Sequence, residues 1–304
     1  MRSKRFSSAL RTITSAVLFS LSLYSRGDGI AAQYPNDAGI GKDPRVLFTD
    51  NFESGDLKKW DEKRATIAIT PEKPNSGNYC VHIPMHRGKD NGGDAIKWFM
   101  PGADRVHVRC YVKFSADYQY PHHFIWLSAN PRTNRWQSFG KAGLKPDGTY
   151  FSSGMEAWFA WGKNPPPGEL CFYSYFLDME IDPKMNKYWG NSFFPPGPDK
   201  GVAAAPSRFI PPLNQWQCWE FMLEANSPDK ADGKQAMLVD GKPIAEFTGI
   251  HWRNDPSLKI NCFWLEHYGY DNSDPTKQFW KDKQTVWFDD VVIATRYIGP
   301  MVKN

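Results

Sequence analysis

The sequence predicts a single all-β domain, a sandwich of two antiparallel sheets, on three observations. Nine short runs alternate apolar and polar residues with a period of two, and Gly, Pro, Asn and Asp separate them. No stretch keeps helical periodicity over three turns. Aromatic residues make up 15% of the 304-residue chain, which supplies a core large enough for one large β domain.

The first residues have the three-part pattern of a secretory signal peptide. A basic start is followed by the apolar stretch Thr12–Tyr24 and then by the small residues Gly29, Ala31 and Ala32. We therefore expect a signal peptide over residues 1–32, a flexible segment over 33–45 and the sandwich over 46–300. The protein would be secreted or periplasmic, with no membrane association after cleavage. The alternative is an uncleaved membrane anchor, for which the apolar stretch is short.

Charge and cysteine content exclude several classes of protein. The net charge of +4 comes largely from the basic leader, so the mature chain is nearly neutral and no nucleic-acid partner is indicated. The five cysteines show no CxxC or Cys/His spacing, which gives no indication of a zinc site. Export permits disulfides, and the odd count leaves at least one thiol over.

The strands follow one another at short intervals along the chain. Asp232-Gly233 and Asp240-Gly241 flank one of them and predict hairpin turns. The predicted strands are Tyr79–Pro84, Val106–Phe114, His123–Ser128, Glu156–Trp161, Leu170–Leu177, Trp216–Leu223, Ala236–Val239, Ile260–His267 and Val286–Ala294.

A proline-rich insertion, Pro183–Pro212, interrupts this pattern. It carries the aromatic residues Tyr188, Trp189, Phe193 and Phe194. A connection of this length in a compact β domain has two ordinary explanations. One is a lid over a groove, and the other is a surface loop held by its own aromatic side chains.

Successive side chains of a strand point to opposite faces, which sorts these residues into two sets. One set is aliphatic and rich in Phe. If all strands belonged to one curved sheet, the other set would line a groove suited to a polysaccharide, because aromatic rings stack on sugars and charged groups bind hydroxyls and carboxylates. The alternative is an ordinary solvated face. The second set is Arg109, Tyr111, Lys113, His122, Trp126, Glu156, Trp158, Tyr173, Tyr175, Glu220, Glu266 and Tyr268.

Three stretches resemble a known group of proteins. Leu47–Trp60 looks like the opening strand and turn of concanavalin A-like jelly rolls, Trp216–Lys242 like their Trp-x-x-x-Glu strand and hairpin, and Trp287–Gly299 like their closing strand. In this order they resemble the jelly-roll polysaccharide lyases of the alginate-lyase and glucuronan-lyase type. The resemblance implies a concanavalin A-like β-jelly roll and an exported lyase acting on an acidic, uronate-containing polysaccharide.

One element of that group is absent. Where those lyases carry a Gly-Gly-Lys-Leu-Pro-Gly-like strand start, this chain has Tyr120-Pro121-His122-His123-Phe124. The resemblance therefore transfers no lysine to this position.

β-Elimination needs a group that compensates the uronate carboxylate, a base for the C5 proton and an acid for the O4 leaving group. We expect Arg109 or Lys113 to meet the carboxylate, His122 to act as base or neutraliser, and Tyr173 or Tyr175 to act as acid or base. The remaining residues of the set would contact the polysaccharide, namely Tyr111, Lys113, Trp126, Glu156, Trp158, Glu220, Glu266 and Tyr268. No metal cofactor is required for this chemistry.

Two other functions stay open. Glu156, Glu220 and Glu266 provide carboxylates for a glycoside hydrolase, which uses a pair of them. A non-catalytic carbohydrate-binding protein would use the same aromatic residues, and the missing lysine element favours it.

Oxygen-bearing side chains near the first and last strands suggest a structural calcium site. First and last strands are commonly neighbours in jelly rolls, so Asp50, Glu53 and Asp289 are the candidate Ca²⁺ ligands. The alternative is turn formation, for which Asp and Asn are common residues.

Overall fold

A computed structural model describes residues 29–195, 209–269 and 282–303, and these form the predicted all-β sandwich of two antiparallel sheets. Four short 3-10 turns accompany the strands, at Ile30–Gln33, Pro35–Asp37, Ile40–Lys42 and Ala160–Gly162. The strands are β1 Val46–Asp50, β2 Glu62–Ala65, β3 Ala68–Thr70, β4 Cys80–His86, β5 Gly92–Ala103, β6 Arg105–Phe114, β7 Ile125–Ala129, β8 Phe151–Trp158, β9 Glu169–Tyr175, β10 Asn191–Phe193, β11 Gln217–Glu224, β12 Gly233–Val239, β13 Lys242–Ile250, β14 Ile260–Tyr268 and β15 Lys283–Ala294.

The strands divide between an eight-stranded sheet A and a seven-stranded sheet B. Sheet A has the order β13-β12-β11-β6-β15-β4-β3, with β1 also paired to β15. Sheet B has the order β10-β9-β8-β7-β14-β5-β2. The first and last strands are neighbours, as the sequence predicts.

The inner faces of the two sheets meet in one hydrophobic core. Val108 and Phe221 of sheet A lie in the same buried cluster as Leu127, Phe172 and Phe263 of sheet B. These residues belong to the aliphatic and Phe-rich set, so alternation correctly identifies the inward face of each strand.

Six strands are not among the nine predicted by alternation: β1, β2, β3, β5, β10 and β13. They are short, lie at or next to a sheet edge, or contain Gly and Pro, so that clean alternation is lost. The Asp240-Gly241 turn joins β12 to β13 with positive φ at both residues, as a tight hairpin requires. Asp232 instead caps the longer β11–β12 loop, where its carboxylate accepts a hydrogen bond from the Ser227 amide.

The segment predicted to be flexible, residues 33–45, is folded against the outer face of sheet A. Asp37 pairs with the buried Arg109, and Asp43 accepts hydrogen bonds from Arg45. Just before it, Ile30 and Ala31 are buried against β15, and their amides donate to Tyr297 and Ile298 carbonyls. The signal-peptide boundary at residue 32 therefore conflicts with the packing of Ile30 and Ala31. The rest of the predicted leader lies outside the described residues.

The start of the proline-rich insertion adds an edge to sheet B. Its β10 pairs with β9, and Phe193 packs on Phe176 and Phe247. Residues 196–208 of the insertion lie outside the described part of the chain. In the described part, no helix has the length and apolar character needed to cross a membrane. All five cysteines are buried free thiols.

Candidate active site on sheet B

The expected single polar face is split between two sheets on opposite sides of the core. Arg109, Tyr111 and Lys113 lie on β6, and Glu220 lies on β11, so all four belong to sheet A. The other eight predicted site residues lie on or beside strands of sheet B. Placing all twelve in one groove was wrong, because alternation identifies the outward face of a strand without identifying its sheet.

Two of the four sheet A residues, Arg109 and Glu220, hold segments near the two ends of the described chain. Arg109 is fully buried, pairs with Asp37 and donates to the Gly299 carbonyl. Glu220 accepts hydrogen bonds from the Ile298 and Gly299 amides at 2.9 and 2.8 Å. These contacts leave Arg109 and Glu220 no access to a polymer.

The other two sheet A residues are also turned away from a common groove. The Tyr111 hydroxyl accepts a hydrogen bond from the Met301 amide. Lys113 faces the same side of sheet A, where burial and then the Lys73 charge lower its pKa. Neither can meet a substrate held on sheet B.

The outer face of sheet B carries an aromatic row that crosses four strands in register. Tyr173 is opposite Gly154, Gly154 opposite Trp126, and Trp126 opposite Trp264. Glycine is needed in this row, because a Cβ at residue 154 would lie 2.8 Å from Cε2 of Trp126. The Trp126 indole therefore covers β8, and the row presents rings suited to sugar contact.

A row of charged residues, Arg64, Asp94 and Glu266, runs beside the aromatic row. Glu266 is opposite Asp94, which forms a bidentate pair with Arg64 at 2.8 Å for each bond. Burial raises the pKa of Glu266 well above its usual value, the negative charges of Asp94 and Glu156 raise it further, and Arg64 opposes them. Glu266 Oε2 has no hydrogen-bond partner among the described residues. Glu266 is therefore a buried acid that favours its protonated form.

His123 lies where the two rows meet, next to the start of β7. Its Nδ1 is 2.7 Å from Glu156 Oε1, and its ring is 5.7 Å from the Tyr173 ring and stacked at 6.1 Å on Tyr268. The sequence pattern missed His123 because alternation extended back from Trp126 assigns His122 to this face. The chain is not in β7 before Ile125, so alternation does not hold there. The adjacent histidines His122 and His123 were the sequence feature from which the role of this position could have been predicted.

His122 lies beside this centre rather than in it. Its ring is 4.1 Å from that of His123, and its amide donates to the Tyr268 carbonyl. Burial, and then the nearby His123, lower the pKa of His122 to about 3. His122 is therefore neutral at physiological pH and cannot supply a positive charge to a substrate carboxylate.

Two tyrosines of β9 complete the site. The Tyr173 hydroxyl accepts a hydrogen bond from the Gly190 amide at 2.9 Å, and the Tyr175 ring lies 5.6 Å from that of Tyr173. Burial raises the pKa of both phenols. Both therefore keep their protons through neutral and mildly alkaline pH, which suits an acid better than a base.

Trp158 lies at the end of β8, two residues after Glu156 and on the same face of the strand, and it packs on Phe194 of the insertion at 4.9 Å. Tyr268 ends β14 and, through its stacking on His123, lies within the site.

The predicted calcium ligands do not fit a common cation. The Asp50 carboxylate accepts hydrogen bonds from the Trp60 indole and the Lys59 ammonium, and Glu53 accepts from the Asn78 and Tyr79 amides. Asp289 accepts from the Asn75 and Ser76 amides. Each of these carboxylates is thus held by a different set of protein donors, and the described residues contain no group of three or more His, Cys, Asp or Glu able to hold a metal.

Comparison with known proteins shows the fold. No protein-family model matches the chain, and no curated protein matches its sequence. The alginate lyase from Aplysia kurodai is similar in structure, with TM-score 0.59 and 14% identity over 82% of this chain and 99% of that one. The alginate lyase vAL-1 from a Chlorella virus has TM-score 0.56 and 16% identity over 82% and 99%.

A third solved structure, a cellulose-induced protein named Cip1, has TM-score 0.51 and 19% identity over 83% of this chain and 99% of that one. At these identities the likeness concerns the fold alone. The chain has the jelly-roll fold of these polysaccharide lyases.

Proposed function

We propose that this protein is an exported lyase that cleaves a uronate-containing polysaccharide by β-elimination on the outer face of sheet B. The observation that carries the proposal is the His123–Glu156 pair, held between the rings of Tyr173 and Tyr268. A histidine oriented by a carboxylate beside protonated phenols supplies both a base and an acid.

The orientation of His123 assigns its role. Glu156 Oε1 accepts the hydrogen bond, so in neutral His123 the proton sits on Nδ1 and the lone pair on Nε2. Nε2 takes the C5 proton of the uronate, the C4–O4 bond breaks and a C4=C5 double bond forms. A phenol, Tyr173 or Tyr175, returns a proton to O4 of the leaving sugar.

The uronate carboxylate needs a partner before C5 becomes acidic enough. Arg109 and Lys113 lie on sheet A, so this role passes to the charged row of sheet B. The protonated Glu266 carboxyl can donate a hydrogen bond to the carboxylate, and the Arg64 guanidinium, paired with Asp94, adds positive charge nearby. No step of the proposal passes through a metal.

The substrate class follows from the same face. Aromatic rings from β9, β7 and β14 offer stacking surfaces for sugars. Polyuronates such as alginate and glucuronan combine sugar rings with carboxylates. The fold likeness to alginate lyases supports this class, and an exported protein would meet such polymers outside the cytoplasm.

Glycoside hydrolysis is the second candidate, favoured by one observation. Glu266 is an acid with a raised pKa, and the charge of Glu156 contributes to that shift. Such a pair is the usual arrangement of a glycosidase. The hydrogen bond of Glu156 to His123 favours elimination, because it commits this carboxylate to orienting a base.

Ultraviolet absorbance separates these candidates. The mature protein is incubated with alginate, glucuronan and other uronate polymers. Elimination produces a conjugated unsaturated uronate that absorbs, so we expect absorbance to rise on at least one polymer. New reducing ends without absorbance would replace the lyase with a hydrolase. Neither signal on any uronate polymer would contradict both enzymes and leave a binding protein.

The His123→Ala variant tests the centre itself. Loss of a general base reduces kcat by roughly 10²- to 10⁴-fold. His82→Ala is the matched control, because His82 is a half-buried histidine on β4 of sheet A. Equal rates for His123→Ala and the control would overturn the role of His123.

A further inference from the structure

A second aromatic and cationic cluster lies on sheet B, at a distance from His123. It consists of Trp98 on β5 and of Arg135 and Trp136 in the loop between β7 and β8, and we call it the distal cluster. The two indoles meet edge to face at 4.7 Å, and the Arg135 guanidinium lies 4.3 Å above the Trp98 ring. The Trp98 indole N–H donates to the Arg135 carbonyl, which fixes the loop to the strand.

The side chains of the distal cluster pack on one another, and two of them are also open to solvent. Trp98 is buried, whereas Trp136 is 37% exposed and the Arg135 side chain is 50% exposed. One guanidinium nitrogen of Arg135 pairs with Glu62 at 3.3 Å, and the group has further N–H donors. The exposed Trp136 ring offers stacking for a sugar, and the exposed Arg135 guanidinium, packed on the buried Trp98 ring, offers hydrogen bonds for the sugar's carboxylate.

Rings connect this cluster to the proposed active site without interruption. Trp126 is opposite Trp264, Trp264 contacts Phe139 at 4.7 Å, and Phe139 contacts Trp136 at 4.9 Å. Trp98 is opposite Cys262 of β14, and Cys262 is opposite Ser128 of β7. Trp98 therefore lies two strands from β7, at the level of Ser128. Strand spacing and rise place it roughly 20 Å from His123.

We propose that the distal cluster is a second carbohydrate subsite, which holds an acidic sugar residue of the same polymer chain several residues away from the one at His123. This inference extends the proposed function. Its prediction of a cleavage preference rests on the proposed function. The protein would favour polymers over oligosaccharides too short to span both sites.

Binding tests the subsite without requiring turnover. Affinity electrophoresis through gels containing alginate or glucuronan is run on the His123→Ala protein. We expect Arg135→Ala or Trp136→Ala to weaken binding by roughly three- to tenfold, the range of one stacking or cation–π contact. In gels containing a neutral β-glucan, Arg135→Ala should migrate as the charge-matched Arg132→Ala variant does, because the guanidinium has no carboxylate to bind there.

Arg132→Ala is the matched control, since Arg132 is an exposed arginine of the same loop outside the cluster. Circular dichroism and Tm confirm that each variant is folded. The inference is overturned if Arg135→Ala and Trp136→Ala bind the acidic polymers as Arg132→Ala does, or if the parent binds neither polymer.

The lyase assay on otherwise wild-type protein distinguishes the two proposals. Cleavage with an unchanged polymer-to-oligosaccharide preference in Trp136→Ala would overturn the subsite and leave the lyase in place. Polymer binding that Trp136→Ala weakens, without any unsaturated product from the wild type, would overturn the lyase and support the subsite.

Discussion

At the scale of residues, the candidate site depends on one hydrogen bond. The His123–Glu156 contact at 2.7 Å orients an imidazole beside two phenols, and the proposed base depends on this orientation. His122, its neighbour in sequence, is kept neutral by burial and by His123. Adjacent histidines thus have different environments.

We expect Tyr173→Phe to lower kcat by at least tenfold with a small change in KM, because the ring remains for stacking and only the proton donor is lost. Unsaturated product formation on the preferred uronate polymer measures this. Tyr79→Phe, at an exposed tyrosine, is the control. An unchanged kcat in Tyr173→Phe would assign the acid role to Tyr175.

The raised pKa of Glu266 makes the stability of the folded protein depend on pH. The pKa of a carboxyl in an unfolded chain is about 4.3, and the folded pKa of Glu266 lies well above its usual value. Between these two values the folded state binds more protons than the unfolded state, so the contribution of Glu266 to stability falls as pH rises.

Glu266→Gln should therefore unfold at a higher temperature than the wild type, by a margin that grows as pH increases from 4 towards 8. Thermal unfolding at several pH values measures the margin. The same variant should keep lyase activity, because the amide that replaces the carboxyl can also donate the proposed hydrogen bond to the uronate carboxylate. A margin that shrinks with pH would contradict a raised pKa for Glu266.

At the scale of elements, the N-terminal segment is part of the fold. Residues 29–45 cover the outer face of sheet A, and Ile30 and Ile40 pack with Val292 of β15. The buried Arg109 depends on Asp37 of this segment for its counter-charge. The outer face of sheet A, whose sequence resembles that of a binding face, is thereby covered.

Asp37→Asn should destabilise the protein by about 3–5 kcal/mol, because it leaves a fully buried guanidinium without its anion. Asparagine keeps the shape and tolerates the positive φ of residue 37, so backbone strain adds little. Urea unfolding measures the change. Asp56→Asn, which removes an exposed ion pair with Lys58, should change stability little. Similar midpoints for the two variants would show that Arg109 does not need Asp37.

At the scale of the whole molecule, the packing of Ile30 and Ala31 affects where a signal peptide could be cleaved. Cleavage after residue 32 would remove both side chains from the cluster on β15. If the protein is exported as we propose, we therefore expect the mature chain to begin at or before Gly29, and intact-mass measurement of the exported form determines this. A mature chain beginning at residue 33 would mean that the cluster is not required for the folded state.

Much of the fold could be predicted from the sequence, and less of the site. Alternation identified nine strands, and it identified the inward side of β6, β7, β9, β11 and β14, because side chains on a strand have a period of two whatever the strand pairs with. Asp240-Gly241 predicted a hairpin from two residues that accept positive φ. Trp126, Glu156, Tyr173 and Tyr175 were correctly assigned to outward positions of their strands.

Only the tertiary structure decided which outward faces belong together. Both sheets of a sandwich have an outer face, and the local pattern that marks Arg109 on β6 is the same as that marking Tyr173 on β9. Pairing joins strands distant in sequence, β6 with β11 and β15, and β7 with β8 and β14. Residues 29–45 and the segment after β15 then pack on the outer face of sheet A, whereas His123 and Glu156 meet on the outer face of sheet B. Sequence periodicity is local, whereas sheet membership and burial by distant segments are not.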